Sequence, residues 1–305
     1  MSKATFSILI STKNRKEELL FTLTSVRNLL DDTKVTCVVF DDGSTDGTFQ
    51  MVQEQFPNVV LHRNEVSKGY LYCRNFMLNA TQAKYAISLD DDAHFLSDNP
   101  VATLENYFDA NHNCGVVAFR IFWSKDKPID YATNEKEHRV KGFVGCGHVW
   151  RMSAWKQIPN YPEWFEFYGE EEFASYQLFK KKIEVHYLPS ILVQHRVNVV
   201  SRKSQTDYIQ RQKRSLRSGW YLYFLFYPLK VIPKKMLYSV YIQLKNKTFK
   251  GDFKATFAML QAIFDVLLNF PKLNKQSNRL SNEEYNAYQK LAESKIYWKP
   301  NEYRN

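Results

Sequence analysis

The 305-residue chain has few of the residues that build special scaffolds. Its four cysteines (Cys37, Cys73, Cys114, Cys146) are scattered with no C-x-x-C pair, which argues against a disulfide frame or a zinc knuckle and points to reduced thiols in a cytosolic setting. Ten glycines and ten prolines argue against a fibrous or low-complexity chain. The N-terminus carries no charged segment followed by an apolar core, so secretion is not expected. No uninterrupted apolar run reaches the roughly 18–20 residues of a membrane span. Gly219 to Leu229 is too short, and Ala255 to Phe270 is broken by Gln261 and Asp265. No G-x-G-x-x-G motif is present, which speaks against a dinucleotide-binding oxidoreductase.

What the chain does have is aromatic side chains, 22 Phe and 19 Tyr, and a lopsided charge. Residues 1–195 hold 21 Lys+Arg against 25 Asp+Glu, a net of −4, whereas residues 196–305 hold 21 against 7, a net of +14. The basic character belongs to the C-terminal third, a block that attracts polyanions such as anionic lipid, an acidic partner or nucleic acid.

Strand and helix patterns alternate over the first ninety residues. Phe6–Ile10, Val35–Phe40, Val59–Leu61 and Tyr85–Leu89 read as strands, and Lys16–Leu30, Thr48–Gln55 and Gly69–Ala80 as helices. That alternation implies right-handed crossovers and a mainly parallel sheet, whose ligands bind beyond the carboxyl ends of the strands. Ser11-Thr12-Lys13-Asn14, Asp41-Asp42-Gly43-Ser44 and Asp90-Asp91-Asp92 each lie at such an end. Adjacent carboxylates repel one another, so the triplet makes sense if a hard cation such as Mg2+ or Mn2+ neutralises it. Further on, Cys114–Phe122, a glycine-punctuated Phe143–Arg151 and Ile183–Leu188 read as strands, and Glu170–Lys181 as a helix. Beyond Arg196 come helical, basic, aromatic segments: Gln205–Tyr227, Lys234–Leu244, Lys254–Phe270, and Ser281–Ala292 with its Ser281-x-x-Glu284 capping pattern.

Phe6-Ser7-Ile8-Leu9-Ile10-Ser11-Thr12-Lys13-Asn14-Arg15, then Phe40 to Asp46, Gly69 with Arg74-Asn75, and Leu89-Asp90-Asp91-Asp92 together resemble glycosyltransferase family 2. The resemblance covers roughly residues 5–196. It implies an α/β GT-A fold, Rossmann-like, with a mainly parallel central sheet flanked by helices. The catalytic domain would span 1–200, with a nucleotide-sugar half (1–98) and an acceptor half (99–200), and a helical extension would span 201–305.

By that resemblance Ser11, Lys13, Asn14 and Asp42 border the nucleoside, Arg74 lies near the donor phosphates, Asp90 holds the ribose or a metal-bound water, and Asp91 lies near the sugar. Asp92 becomes the first metal ligand, His195 completes the shell, and the cofactor is Mn2+ or Mg2+. Gly169-Glu170-Glu171-Glu172 resembles the family's acidic element at a helix start. There Glu171 takes the position of the base that deprotonates the acceptor hydroxyl, Glu170 supports it, and Glu170 and Glu172 remain alternatives. Gly145-Cys146-Gly147 resembles a segment on the acceptor side, where Trp164 is also expected, with Trp150, Trp155 and Phe167 as further candidate walls.

The expected activity is an inverting, metal-dependent glycosyl transfer from a UDP- or dTDP-sugar to a glycan or polyprenyl-linked acceptor. The setting implied is bacterial surface polysaccharide or glycolipid assembly, in the cytoplasm or on the inner face of the cytoplasmic membrane. The alternatives are a sugar-phosphate nucleotidyltransferase and a basic nucleic-acid-binding protein. Against the first, Ser-Thr-Lys-Asn replaces a glycine-rich loop after the first strand. Against the second, the basic residues are interleaved with long apolar runs, and no nucleic-acid partner is expected. Gly219–Tyr227, flanked by Arg211, Lys213, Arg214, Arg217, Lys230, Lys234 and Lys235, reads either as a surface for anionic lipid or as a helix packed on the catalytic core.

Overall fold

Strand β1 (Phe6–Thr12) is buried along its whole length, because both of its faces are covered. Phe6, Ile8 and Ile10 project into one apolar cluster and Leu9 into another, as the two-residue period of a strand requires. The computed structural model of the protein describes residues 4–197, 206–295 and 297–299. The expected boundary at residue 200 and the expected helix start at Gln205 lie outside these described residues.

After β1 come α1 (Lys16–Leu30), β2 (Val35–Asp41), α2 (Thr48–Gln55), β3 (Val60–Arg63), α3 (Tyr70–Ala80), β4 (Tyr85–Asp90), β5 (Ala93–Phe95) and α4 (Pro100–Ala110). The second half follows with β6 (Cys114–Trp123), β7 (His138–Val140), β8 (Gly147–Arg151), α5 (Met152–Trp155), α6 (Glu170–Lys180) and β9 (Glu184–His195). Helices α7 (Tyr208–Phe226), α8 (Ile232–Asn246), α9 (Phe253–Lys275) and α10 (Asn282–Gln289) complete the described chain.

The strands form one sheet in the order β3-β2-β1-β4-β8-β6-β9-β5, with β7 beside β9. From β3 to β4 all pairings are parallel, as the alternation of elements predicts. Strand β8 then enters antiparallel between β4 and β6, so the second half of the sheet is mixed. Leu19, Leu23 and Val26 of α1 and Leu104 and Phe108 of α4 cover one face; Leu71, Met77 and Leu78 of α3 and Phe173 and Leu178 of α6 cover the other.

Two differences from the sequence pattern have physical causes. Strands β1 and β4 run past their apolar residues to Thr12 and Asp90, because ladder pairing continues (Ser11 beside Asp90) after the side chains turn polar at the cleft. The expected strand at Ile183–Leu188 runs on to His195 as one long strand, β9. Its pairing with β6 jumps from Leu188 to Leu192, an irregularity at Pro189, which has no N–H to give to the ladder.

Gly219–Tyr227 packs inward. Trp220, Tyr221, Leu225 and Phe226 are buried, and Phe226 meets Tyr176 and Phe173 of α6 at ring separations of 4.8 and 5.4 Å. The preceding basic residues are engaged within the molecule. Arg211 pairs with Asp207, Arg214 and Arg217 with Glu166, and Lys213 and Arg217 with Asp265. Of the two readings of this stretch, packing on the catalytic core describes where it sits.

Candidate active site

Parallel pairing aligns the carboxyl ends of β1, β2 and β4, with Thr12 beside Asp41 and Ser11 beside Asp90. The three polar loops that follow therefore open onto one edge, where a cleft of about 1320 Å³ runs between the sheet and the first turns of α6 and α8. Ser11, Lys13, Asp42, Asp90, Asp91, Asp92, Gly145, Glu170, Glu171, Glu172 and His195 line it.

Strand β9 carries His195 to the acidic triplet by pairing with β5, which puts His195 opposite Ala93. His195 Nε2 lies 3.0 Å from Asp92 Oδ1 and 4.0 Å from Asp90 Oδ2. One donor atom from each of Asp90, Asp92 and His195 falls within 4.8 Å of the others. Two carboxylates and an imidazole converging at that spacing fit a divalent ion such as Mn2+. Asp91 faces elsewhere. It accepts from Thr12 Oγ1 at 2.8 Å and pairs with Arg15 Nε at 2.8 Å. Arg15 also reaches Asp92 Oδ2 at 2.6 Å.

These surroundings separate the acids electrostatically. Burial pushes the Asp91 carboxyl up to about 7, with Arg15 opposing and Asp92 reinforcing the rise. Asp92 is also desolvated, but its hydrogen bond and ion pair with His195, and then Arg15, outweigh burial and hold it below the usual carboxylate range. Asp42 behaves similarly. Burial opposes ionisation, yet it accepts from Ser67 Oγ, Asn64 Nδ2 and the backbone N–H groups of Lys68 and Gly69 at 2.6–2.9 Å, which lowers its pKa. Asp42 therefore ties down the 64–69 loop that leads into α3, each of its oxygens accepting two bonds.

The opposite wall is the start of α6. Gly169, at φ +85°, turns the chain so that Glu170, Glu171 and Glu172 occupy the first helical turn, where the helix dipole favours negative charge. Glu170 is buried, and burial together with the Glu172 charge pushes it up to about 7. Enclosure and the charges of Glu170 and Glu172 hold Glu171 well above the ordinary carboxylate range. A side-chain Cβ at Gly145 would lie 2.3 Å from Glu171 Oε1, so any larger residue there would push this carboxylate out of its place.

Six of the expected residues stand behind the cleft rather than on it, two of them, Trp150 and Trp155, within the buried apolar cluster. Arg74 is buried and holds Asp90 Oδ1 at 2.7 Å and the carbonyls of Leu9 and Leu89 at 3.3 and 3.0 Å, so it braces two strand ends and one acid. Asn14, at φ +54°, bonds to Ser44 and Thr45 and fastens the β1 loop to the β2 loop. Gly147 sits where a Cβ would meet Ile121, Val193 and Phe119. Trp164 packs on Tyr221, with Lys272 Nζ 4.4 Å from its ring. The structure also brings in Arg15, Thr12 and Tyr70, none of which the sequence pattern singled out. Arg15 was one of three cations after β1, beside Lys13 and Lys16; Tyr70, whose hydroxyl lies 3.5 Å from Asp90 Oδ1, looked like one aromatic among many.

The family model "Glycosyl transferase family 2" matches residues 7–170, more than half of the chain. A curated relative, the glycosyltransferase YfnE of Bacillus subtilis strain 168, is 28% identical over 137 residues, which are 44% of this chain and 34% of YfnE. Among solved structures, GalNAc-T7 with UDP, GalNAc and Mn2+ superposes with a TM-score of 0.58 at 15% identity, over 74% of this chain and 48% of that one. The mannosyltransferase PcManGT of Pyrobaculum calidifontis, with GDP-Man and Mn2+, gives 0.53 at 14% identity, over 95% and 84%. The matched part is thus about a third of YfnE and half of GalNAc-T7. At these identities the solved structures establish the GT-A fold.

Proposed function

The chain belongs to glycosyltransferase family 2, and from that membership and the cleft's geometry we propose that it transfers a sugar from a nucleoside diphosphate to an acceptor hydroxyl with inversion. The observation that carries this reading is the pairing of two acidic groups across one cleft: Asp90, Asp92 and His195 on the sheet side, and Glu171 on the α6 side. The donor lies on the sheet side, over the loops after β1 and β2, with Ser11 and Lys13 bordering the nucleoside.

Asp90, Asp92 and His195 would hold Mn2+ or Mg2+, and such an ion, when bound, offsets the charge of the departing diphosphate as a Lewis acid. Arg15 pairs with both Asp91 and Asp92 and offsets their mutual repulsion, and Arg74 fixes Asp90 from behind. Glu171 accepts the proton of the acceptor hydroxyl as that oxygen bonds to the anomeric carbon and the bond to the nucleotide breaks. Its raised affinity for protons makes it a stronger base than an exposed glutamate. A single displacement of this kind inverts the anomeric centre. A UDP- or dTDP-sugar is the donor class, and a glycan or polyprenyl-linked acceptor in bacterial surface polysaccharide or glycolipid assembly is the setting.

A thermal-shift screen of nucleoside diphosphates and nucleotide sugars, with Mn2+ or with chelator, tests the donor. A ligand at about 100 times its Kd adds about 2.7 kcal/mol, a shift of several degrees. Metal-dependent stabilisation by one nucleotide is expected, and stabilisation by none overturns the proposal. Glu171→Gln should retain that shift and lose transfer by at least about a hundredfold; wild-type turnover removes Glu171 from the role.

A further inference from the structure

Helix α9 is apolar on two sides, and the protein covers one of them. Ala258, Met259, Ala262 and Val266 are buried toward α7. Phe253, Phe257, Leu260, Phe264 and Leu267 recur at intervals of four and three residues, the repeat of a single helical face, and are 72, 54, 57, 60 and 66% exposed. Leu237, Tyr238 and Tyr241 of α8 and Phe249 between the helices are exposed as well. A face of this extent and composition on a folded chain marks an interaction surface.

We propose that α8 and α9 dock the protein on the surface of an anionic lipid bilayer. The surrounding charge selects that occupant. Residues 230–275 contain nine lysines and two acids, Asp252 and Asp265. Both acids are spent internally, Asp252 on the α9 N-terminus and Tyr208, Asp265 on Lys213 and Arg217. Lys234, Lys245, Lys250 and Lys254 are exposed and make no ion pair among the described residues. A second copy of this chain would oppose this positive rim with an identical one, so self-association is disfavoured. Phosphate headgroups complement it, while Phe and Leu enter the acyl boundary beneath.

By length and composition α9 passes as a membrane span. Its inner face is committed to α7, however, and carries the ion-paired Asp265, so it lies along the surface instead of crossing. Lys235, in the first turn of α8, lines the cleft, and the exposed Tyr238 is one turn further on, about 5 Å along the helix. Docking therefore sets the cleft at the lipid surface. Its use there, to reach a lipid-linked acceptor, rests on the proposed transferase reading; the docking itself does not.

Full-length protein is sedimented with phosphatidylcholine vesicles, with or without phosphatidylglycerol, at low and high salt. Binding to anionic vesicles is expected to exceed binding to neutral ones by at least about tenfold and to weaken with salt. The double variant Phe257→Glu, Phe264→Glu should lose at least about tenfold in binding, as should Lys245→Glu, Lys250→Glu, both with an unchanged melting temperature. No binding to anionic vesicles at low salt overturns the proposal. So does binding by either variant as tight as that of the wild type, or a solution dimer that Phe257→Glu, Phe264→Glu splits, since a second copy would then own the face.

Discussion

Replacing Glu170 by glutamine should stabilise the protein at neutral pH and leave its stability unchanged in acid. The Glu170 side chain is 5% exposed, its Oε2 has no hydrogen-bond partner, and it sits beside other acids. Burial, then the neighbouring Glu172 and Asp90 charges, raise its pKa from 4.5 to about 7. The sign follows from proton binding. Between those two values the folded state keeps a proton that the unfolded chain has released, so stability falls as pH rises through this window and the loss is complete above it. Each pH unit of the window costs about 1.36 kcal/mol, for a total of about 3 kcal/mol at pH 8. Glutamine keeps the shape without the charge. The shift is already net of the favourable start of α6, so the expected gain is about 3 kcal/mol at pH 8 and nearly none at pH 4. Urea unfolding at intervals from pH 4 to 8, in chelator so that no cation offsets the acids, measures the difference directly. A constant difference across that range, or a variant less stable than wild type at pH 8, refutes the reasoning. The same substitution removes a negative neighbour from Glu171, so the acidic limb of the kcat profile should move to lower pH.

Gly145→Ala puts a methyl where Glu171 Oε1 now lies, while the residue's φ, outside the left-handed region, accepts alanine. Turnover should fall about a hundredfold with the donor KM little changed, since the base moves and the donor side does not; unchanged kcat would contradict the contact. Arg217→Met removes a buried guanidinium that holds the Phe165 carbonyl, Glu166 Oε1 at 3.1 Å and Asp265 Oδ2 at 3.4 Å. Stability to urea should drop by about 2 kcal/mol, because the buried Phe165 carbonyl and the largely enclosed Asp265 lose their donor while the exposed Glu166 loses little; a loss below about 1 kcal/mol would mean that Arg214 and Lys213 suffice.

The GT-A half and its acids were readable in the chain because their signals are local. Alternating strands and helices with polar groups at each strand end force those groups to one edge of a parallel sheet, and a run of three aspartates has few other uses. The acid-rich start of α6 was equally plain. Long-range choices were not readable. The antiparallel entry of β8 brings Gly145 against Glu171, and the β5–β9 pairing brings His195 to Asp92 from 103 positions away in sequence. Local pattern left exposure at the C-terminus open, where two apolar segments look alike as text. Gly219–Tyr227 turned inward because α6 and α9 close over it, and the apolar stripe from Phe253 to Leu267 stayed out because α7 can cover only one side of α9.

Sequence by itself determined which residues are chemically able to bind a nucleotide, a cation and a proton, since that ability resides in side-chain type and in the strand ends that carry them. Tertiary structure decided which of them face one another, which acids are held charged or protonated, and which greasy helix face meets solvent. Those outcomes depend on desolvation and pairing between segments distant in the chain, and on which surfaces remain after every helix has found a neighbour.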